Sequence, residues 1–362
     1  MSTDNISCID CSESGCNKMI IMESRPSHCQ IRTALLRSIL FSVTAIVFLT
    51  SSVFAADKLY AIYTAHSLSH VLPWIAQESG IFKKYDLDVP LVFVPAGTPA
   101  VATILTGDSD VTQQGAGGLV RAFVLGSKDL VFIGGVKNIL THSIVGKRDV
   151  KSPEQLRGKK IGVGRFGSTT HYFTVQVLRR FGLDARDVSF IQTGGGPDTF
   201  AALVGQVVDA AALAAPSDTR ALELGYQYII YGPDLRIPYA ATAFNTRRSI
   251  ITKRPQVLGR FMRAMAESAK IAHTDRDYTY KVLGKYLRIE NRKILEASYN
   301  SEIRALEPRL AMRLDGLQAN LDEIAATEPR AKNVKAEEMV DTRYLEEMAK
   351  TGFFDQLWPS RR

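Results

Sequence analysis

From Asp57 onward, short runs rich in β-branched and aromatic residues alternate with amphipathic stretches of helical period, with few interruptions. KLYAIYT reads as a strand, VLPWIAQESGIFKKY as a helix ending near Gly80, and LDVPLVFVPA as a strand. Thr98 stands where a cap is needed for a helix PAVATILTGD, whose proline suits the first turn. SDVTQQG and LVFIGGV are strands with GGLVRAFVLG as a helix between them. Strands and helices in this order imply a parallel sheet with helices on both faces, and such sheets take ligands beyond the carboxyl ends of their strands.

The rhythm restarts near Leu156. LRGKKIGVG, DVSFIQTGG, VVDAAALAAP and YQYIIYG read as strands, and STTHYFTVQVLRRFG, PDTFAALVGQ and SDTRALELG as helices. Two small α/β units of the same kind suggest two lobes. Beyond about Asn245 the pattern is mostly helical, in KRPQVLGRFMRAMAESAKIAHT, DYTYKVLGKYL, NRKILEASYNSEI and AEEMVDTRYLEEMAKTG, and Phe353, Phe354 and Trp358 predict that this tail docks on a lobe.

The start of the chain differs. Arg32 and Arg37 lead into LFSVTAIVFLTSSVFA, a basic flank, an apolar core and a small-residue end that match a secretory signal peptide cut after Ala55 or Ala56. The apolar run Ile39 to Leu49 is shorter than the roughly 20 residues of a membrane-spanning helix. Cys8, Cys11, Cys16 and Cys29 all precede the cut, in a spacing that fits no standard zinc pattern, and the mature chain holds no cysteine. The net charge of +8 is spread in pairs such as Arg179 with Arg180 and Arg247 with Arg248, without interleaved aromatics, so nucleic acid is not an expected partner.

IGVGRFGSTTH spells G-x-G-x-x-G at Gly162, Gly164 and Gly167. A dinucleotide turn needs its first glycine after the strand and an acidic residue about 20 positions on, at the end of the next strand. Gly162 falls inside the expected strand, and the next strand ends in Thr193 and glycines. What remains is a glycine-rich turn feeding a helix at Ser168, whose N–H groups suit an anionic or polar ligand group. No G-x-S-x-G, H-E-x-x-H or P-loop pattern occurs, so no catalytic residue and no cofactor is expected.

PWIAQESGIFKKYDLDVPLVFV, LTGDSDVTQQG and the run from LRGKKIGVGRFG to GQVVDAAALAAP resemble successive blocks of the solute-binding proteins of ABC importers for nitrate, sulfonates and taurine. That superfamily also holds binders of thiamine-pyrimidine precursors. The resemblance implies a type II periplasmic binding protein fold: two lobes, each a mixed, mostly parallel sheet flanked by helices, closing like a hinged clamp. The implied layout is an N-terminal extension and signal peptide over 1–56, lobe 1 over 57–145, lobe 2 over 146–239, a return of lobe 1 over 240–310 and a helical tail packing on it over 311–362. Crossovers are expected near Ser143 to Arg148 and Pro238 to Asn245. An enzymatic branch of thiamine-pyrimidine synthesis uses a cysteine-rich motif that a cysteine-free mature chain lacks.

Ligand groups are expected on the loops after strands. TAHSLSH supplies His66, Ser67, Ser69 and His70, AGTP supplies Gly97 and Thr98, and QQGAGG supplies Gln113, Gln114 and Gly115. GVKNILTH adds Lys137, Asn138 and His142. The second unit offers Arg165, Ser168, Thr169 and His171, then Gly194 and Gly195, then Pro216, Ser217 and Asp218. His66 and His70 have the spacing of a metal pair, but Pro73 in the first turn of the next helix leaves His66 outside it, and no metal is expected. The expected protein is a monomeric, periplasmic, non-enzymatic binder that delivers a small polar, anionic solute to a permease and its ATPase. A periplasmic sensor signalling to a membrane partner and a thiamine-pyrimidine synthesis enzyme are the alternatives.

Overall fold

The structure is a computed structural model that describes residues 56–95, 97–166 and 168–359. The expected signal peptide and the four cysteines lie outside the described residues. The described residues lie within one compact unit.

Ten strands build two sheets. In chain order they are β1 (Ala61–Tyr63), β2 (Leu91–Phe93), β3 (Val111–Gln114), β4 (Leu130–Ile139), β5 (Ser143–Gly146), β6 (Lys160–Val163), β7 (Ser189–Gln192), β8 (Ala210–Leu213), β9 (Gln227–Ile230) and β10 (Pro238–Arg247). The first sheet has the order β2-β1-β3-β10-β4 and the second β9-β5-β8-β6-β7. Each is mixed: β1, β2 and β3 run parallel, as do β6, β7 and β8, whereas β10 is antiparallel to β3 and β4, and β5 is antiparallel to β8 and β9.

The helices are α1 (Val71–Glu78), α2 (Gly97–Thr106), α3 (Ala116–Val124), α4 (Thr169–Arg180), α5 (Gly196–Val204), α6 (Ser217–Glu223), α7 (Pro255–Thr274), α8 (Arg276–Leu287), α9 (Arg292–Glu302), α10 (Leu314–Ala325) and α11 (Arg343–Lys350), with shorter turns between. Helix α1 ends at Glu78, close to the expected end near Gly80, which sits at φ +76°, a backbone region that favours glycine, and a separate short turn, Ile81–Lys84, follows. The LDVPLVFVPA segment divides into Leu87–Asp88 and Leu91–Phe93 around Pro90. Helix α2 begins at Gly97, so Thr98 lies in its first turn.

One face of the first sheet packs on α1, α7, α8 and α11, and the other on α2, α3 and α10. Strand β4 is buried along its whole length because helices cover both its faces, which explains its opening apolar run Leu130 to Ile133. The second sheet is sandwiched between α4 on one face and α5 with α6 on the other.

The chain passes from the first sheet to the second through Leu140–His142 and returns through Tyr231–Ile237, so the stretches 143–148 and 238–245 begin the strands that follow each passage. The two passages touch. Gly232 N donates to Ser143 Oγ at 3.2 Å, and a Cβ at Gly232 would lie 1.6 Å from the His142 carbonyl oxygen, so only glycine permits this approach.

Candidate functional site

The carboxyl ends of β1, β3 and β4 converge beside the first passage, where the sheet rule puts a ligand. After β1 the chain makes a short turn, Leu68–His70, before α1, with Pro73 in the helix's first turn and His66 outside it. His70 is buried, with Nδ1 3.1 Å from Ser67 Oγ and Nε2 3.4 Å from Thr64 Oγ1. Burial, reinforced by the Lys137 charge, holds its imidazole down at about 3, so it is neutral at physiological pH. Gln113 Nε2 donates to the Ser69 carbonyl at 2.9 Å, and Thr242 Oγ1 donates to Ser69 Oγ at 3.3 Å. His66, by contrast, is exposed, with its ring 4.2 Å from that of Phe93. The two histidines therefore do not act as a pair, and no group of three His, Cys, Asp or Glu suited to a metal occurs among the described residues.

Lys137, near the end of β4, is buried at 5% exposure. Its Nζ donates to Thr141 Oγ1 at 2.9 Å and to Glu302 Oε1 at 3.0 Å, and Thr141 Oγ1 donates to the same Glu302 oxygen at 3.0 Å. Glu302, the last residue of α9, is 1% exposed, and its Oε2 has no hydrogen-bond partner among the described residues. Gln113 Oε1 and His142 Nδ1 are buried in the same condition. Burial holds the His142 imidazole, like that of His70, down at about 3.

Across the passage, α9 packs against α6 of the second sheet. There Asp218 is 1% exposed and accepts from Thr219 N at 2.6 Å and from Tyr228 Oη at 3.0 Å. Burial raises its carboxyl, and the nearby Glu302 charge raises it further. Glu302 thus links the Lys137 cluster of the first sheet to Asp218 of the second.

The glycine-rich turn forms a separate cluster. Gly162 lies within β6, and Gly164 is pressed so closely on the neighbouring loop that a Cβ there would be 2.8 Å from Gly194 O. Ser168 caps α4, its hydroxyl facing the amides of Arg165 at 3.2 Å and His171 at 3.5 Å. Gly164 N donates to Thr170 Oγ1 at 2.8 Å and Phe166 N to Gln192 Oε1 at 2.9 Å. The turn therefore satisfies most of its own donors. Thr169 opens α4 beside Tyr239, Arg165 is exposed, and the His171 ring packs edge-on against Phe166 and Phe190. At α5, Gly195 is the capping residue, and Asp198 Oδ2 accepts its N–H at 3.0 Å, placing a carboxylate at that helix mouth.

The remaining expected residues serve packing or turns. Gln114 is buried and donates to Thr112 Oγ1 at 3.0 Å, and Gly115 precedes α3 close to the Ala241 carbonyl. Asn138 fastens the chain after α9 by donating to Glu307 Oε1 at 2.9 Å and Ala311 O at 2.8 Å. Pro216 makes the turn into α6, and Gly97 and Thr98 open α2. Sequence reasoning did not single out Thr64, Thr141, Thr242, Tyr228 or Glu302. One signal pointed to Glu302: it continues the buried stripe Ile294, Leu295, Ser298, Tyr299 on α9, a position otherwise given to apolar or small residues.

Residues 68–277, more than half of the chain, match the family model described as NMT1/THI5 like. The chain belongs to the NMT1/THI5-like family. Solved structures agree on the fold. The periplasmic aliphatic sulphonate binding protein SsuA of Escherichia coli is 18% identical over 79% of this chain and 92% of its own, with a TM-score of 0.67. The alkanesulfonate-binding protein SsuA of Xanthomonas axonopodis pv. citri, bound to MOPS, is 18% identical over 79% and 98%, with a TM-score of 0.65. A desulfurization enzyme, DSZB, shares the fold at 13% identity over 82% and 99%, with a TM-score of 0.63, so this NMT1/THI5-like fold carries both binding proteins and an enzyme. No curated protein matches the chain significantly.

Proposed function

We propose that the chain is the extracytoplasmic solute-binding component of an ABC importer. On this reading it captures a small polar solute between two lobes built on the two sheets and presents the closed form to a permease and its ATPase. The observation that carries the reading is the junction itself. Two short passages lie side by side, and buried polar groups from both sheets meet beside them with hydrogen-bonding capacity left over. A pair of adjacent connections is what a hinge needs, and closing it would exclude water and strengthen each polar contact.

Binding rather than turnover is favoured because residues 57–362 contain no cysteine and no catalytic motif identified in the sequence. Among the described residues no helix is long and apolar enough to cross a membrane, and export rests on the N-terminal apolar run. The test is a thermal-shift screen of the purified chain against sulfonates, nitrate, carboxylates, amines and pyrimidines. A compound at one hundred times its Kd adds about 2.7 kcal/mol of stability. A chain that no compound stabilises, but that turns one over, would be an enzyme on a shared fold.

A further inference from the structure

The groups at the junction say more about the solute than that it is polar. Lys137 is the cation buried there, and two of its N–H donors go to Glu302 Oε1 at 3.0 Å and Thr141 Oγ1 at 2.9 Å, so that its charge is paired with that carboxylate. His70 and His142 are held neutral by burial. The amides of the glycine turn are occupied by Thr170, Ser168 and Gln192 side chains, and the mouth of α5 already faces the Asp198 carboxylate. The positive charge at the junction is thus already balanced by Glu302.

Acceptors, in contrast, are left over. Glu302 spends one carboxylate oxygen on Lys137 and Thr141 and keeps Oε2 without a protein partner. Gln113 keeps Oε1, and its amide orientation is fixed, because only the NH2 group can satisfy the Ser69 carbonyl 2.9 Å away. The Leu68–His70 turn that receives Gln113 also packs on α9, the helix that ends in Glu302. Asp218 stands behind them as a second buried carboxyl group. A buried acceptor without a donor is costly, more so when it is charged, and a ligand N–H removes that cost.

Taking the junction as a solute site, we propose that this chain binds a nitrogenous solute carrying at least two N–H donors on an amine, amidine or guanidine group, which donates to Glu302 Oε2 and Gln113 Oε1. Glu302 Oε2 then has no donor to offer a sulfonate oxygen, and Lys137 serves to orient Glu302.

The test is isothermal titration of the purified full chain at neutral pH with benzamidine, agmatine and methylammonium, beside tetramethylammonium, which lacks N–H groups, and methanesulfonate, MOPS and nitrate. The expected result is binding of at least one N–H probe, with tetramethylammonium and the anions inert. Glu302→Gln keeps an acceptor for Lys137 but turns an NH2 toward the ligand, and weakens that probe about 10- to 100-fold. Gln113→Met supplies an independent variant, expected to weaken it about 5- to 10-fold. Binding of a sulfonate, with no N–H probe bound, overturns the assignment of solute class but leaves the solute-binding reading standing. An N–H probe that binds equally well to wild type and to both variants, or equally to tetramethylammonium, also overturns it, as does the absence of binding by every probe.

Discussion

Replacing Lys137 by Met removes the cation from a pair in which both side chains are almost wholly enclosed, at 6% and 2% exposure. The Met chain fills most of the volume of the lysine stem, so the cavity contribution is small. What remains is the Glu302 carboxylate, 1% exposed, with the Thr141 hydroxyl as its protein donor. Breaking a buried pair by deleting one partner costs about 3–5 kcal/mol, because the surviving charge is left uncompensated. Replacing both partners by apolar residues of similar size is often close to neutral. Lys137→Met is therefore expected to lose about 3 kcal/mol or more, and Lys137→Met/Glu302→Leu to recover to within about 1 kcal/mol of wild type. Urea unfolding at neutral pH, followed by tryptophan fluorescence and circular dichroism, gives the four corners of the cycle. A single variant that loses less than about 1 kcal/mol, or a double variant whose loss is the sum of the singles, would refute the reasoning, since the pair would not be shielded from solvent.

Three further outcomes follow from buried groups and tight contacts. Burial lifts the Glu323 carboxyl from 4.5 to about 7, although Tyr239 Oη donates to it at 2.7 Å. The unfolded chain ionises first, so stability is fully present below about pH 4.5 and falls by about 3 kcal/mol as pH rises to 7; Glu323→Gln flattens this segment of a urea-midpoint profile. His70 and His142 act with the opposite sign: their folded values, about 3 against an ordinary 6.5, give stability above pH 6.5 that is lost on acidification, and His70→Asn/His142→Asn should remove that acid slope. Gly232→Ala forces a Cβ onto the His142 carbonyl between the two passages and should cost about 3 kcal/mol or more in thermal unfolding, whereas Gly158→Ala, strained only by its φ of +74° with nothing in the way, should cost about 1 kcal/mol.

The alternation of apolar runs made most elements legible, and a hydroxyl residue before an amphipathic stretch located the start of α4 at Ser168. Strand direction was not legible, because a two-residue side-chain period is the same for parallel and antiparallel pairing; β4, β5 and β10 turn the sheets mixed. Helix α10 lies in the tail expected to be helical over 311–362, but its own limits were not legible because Gly316 and Asn320 interrupt its apolar pattern. Both are there for β10: a Cβ at Gly316 would lie only 3.0 Å from Ala240 N, and Asn320 Oδ1 accepts that N–H at 3.1 Å. At the candidate site, the loops after strands pointed to Ser67, Ser69, Lys137 and Asp218, since position after a strand is a sequence property. Glu302 and Thr242 reach the same place from distant parts of the chain, and only tertiary packing brings them there.

The central claim is that two sheet-bearing halves close on a solute, and the separation of those halves tests it most directly. Leu125, 51% exposed beside the first sheet, and Val207, 58% exposed beside the second, accept cysteine without burial in a chain whose four native cysteines are replaced by serine. Spin labels at Leu125→Cys and Val207→Cys report the distance distribution by pulsed dipolar spectroscopy. Adding a compound that raises the melting temperature should replace a broad distribution by a narrow one at a different distance. A distribution that such a compound leaves unchanged at saturation would contradict closure.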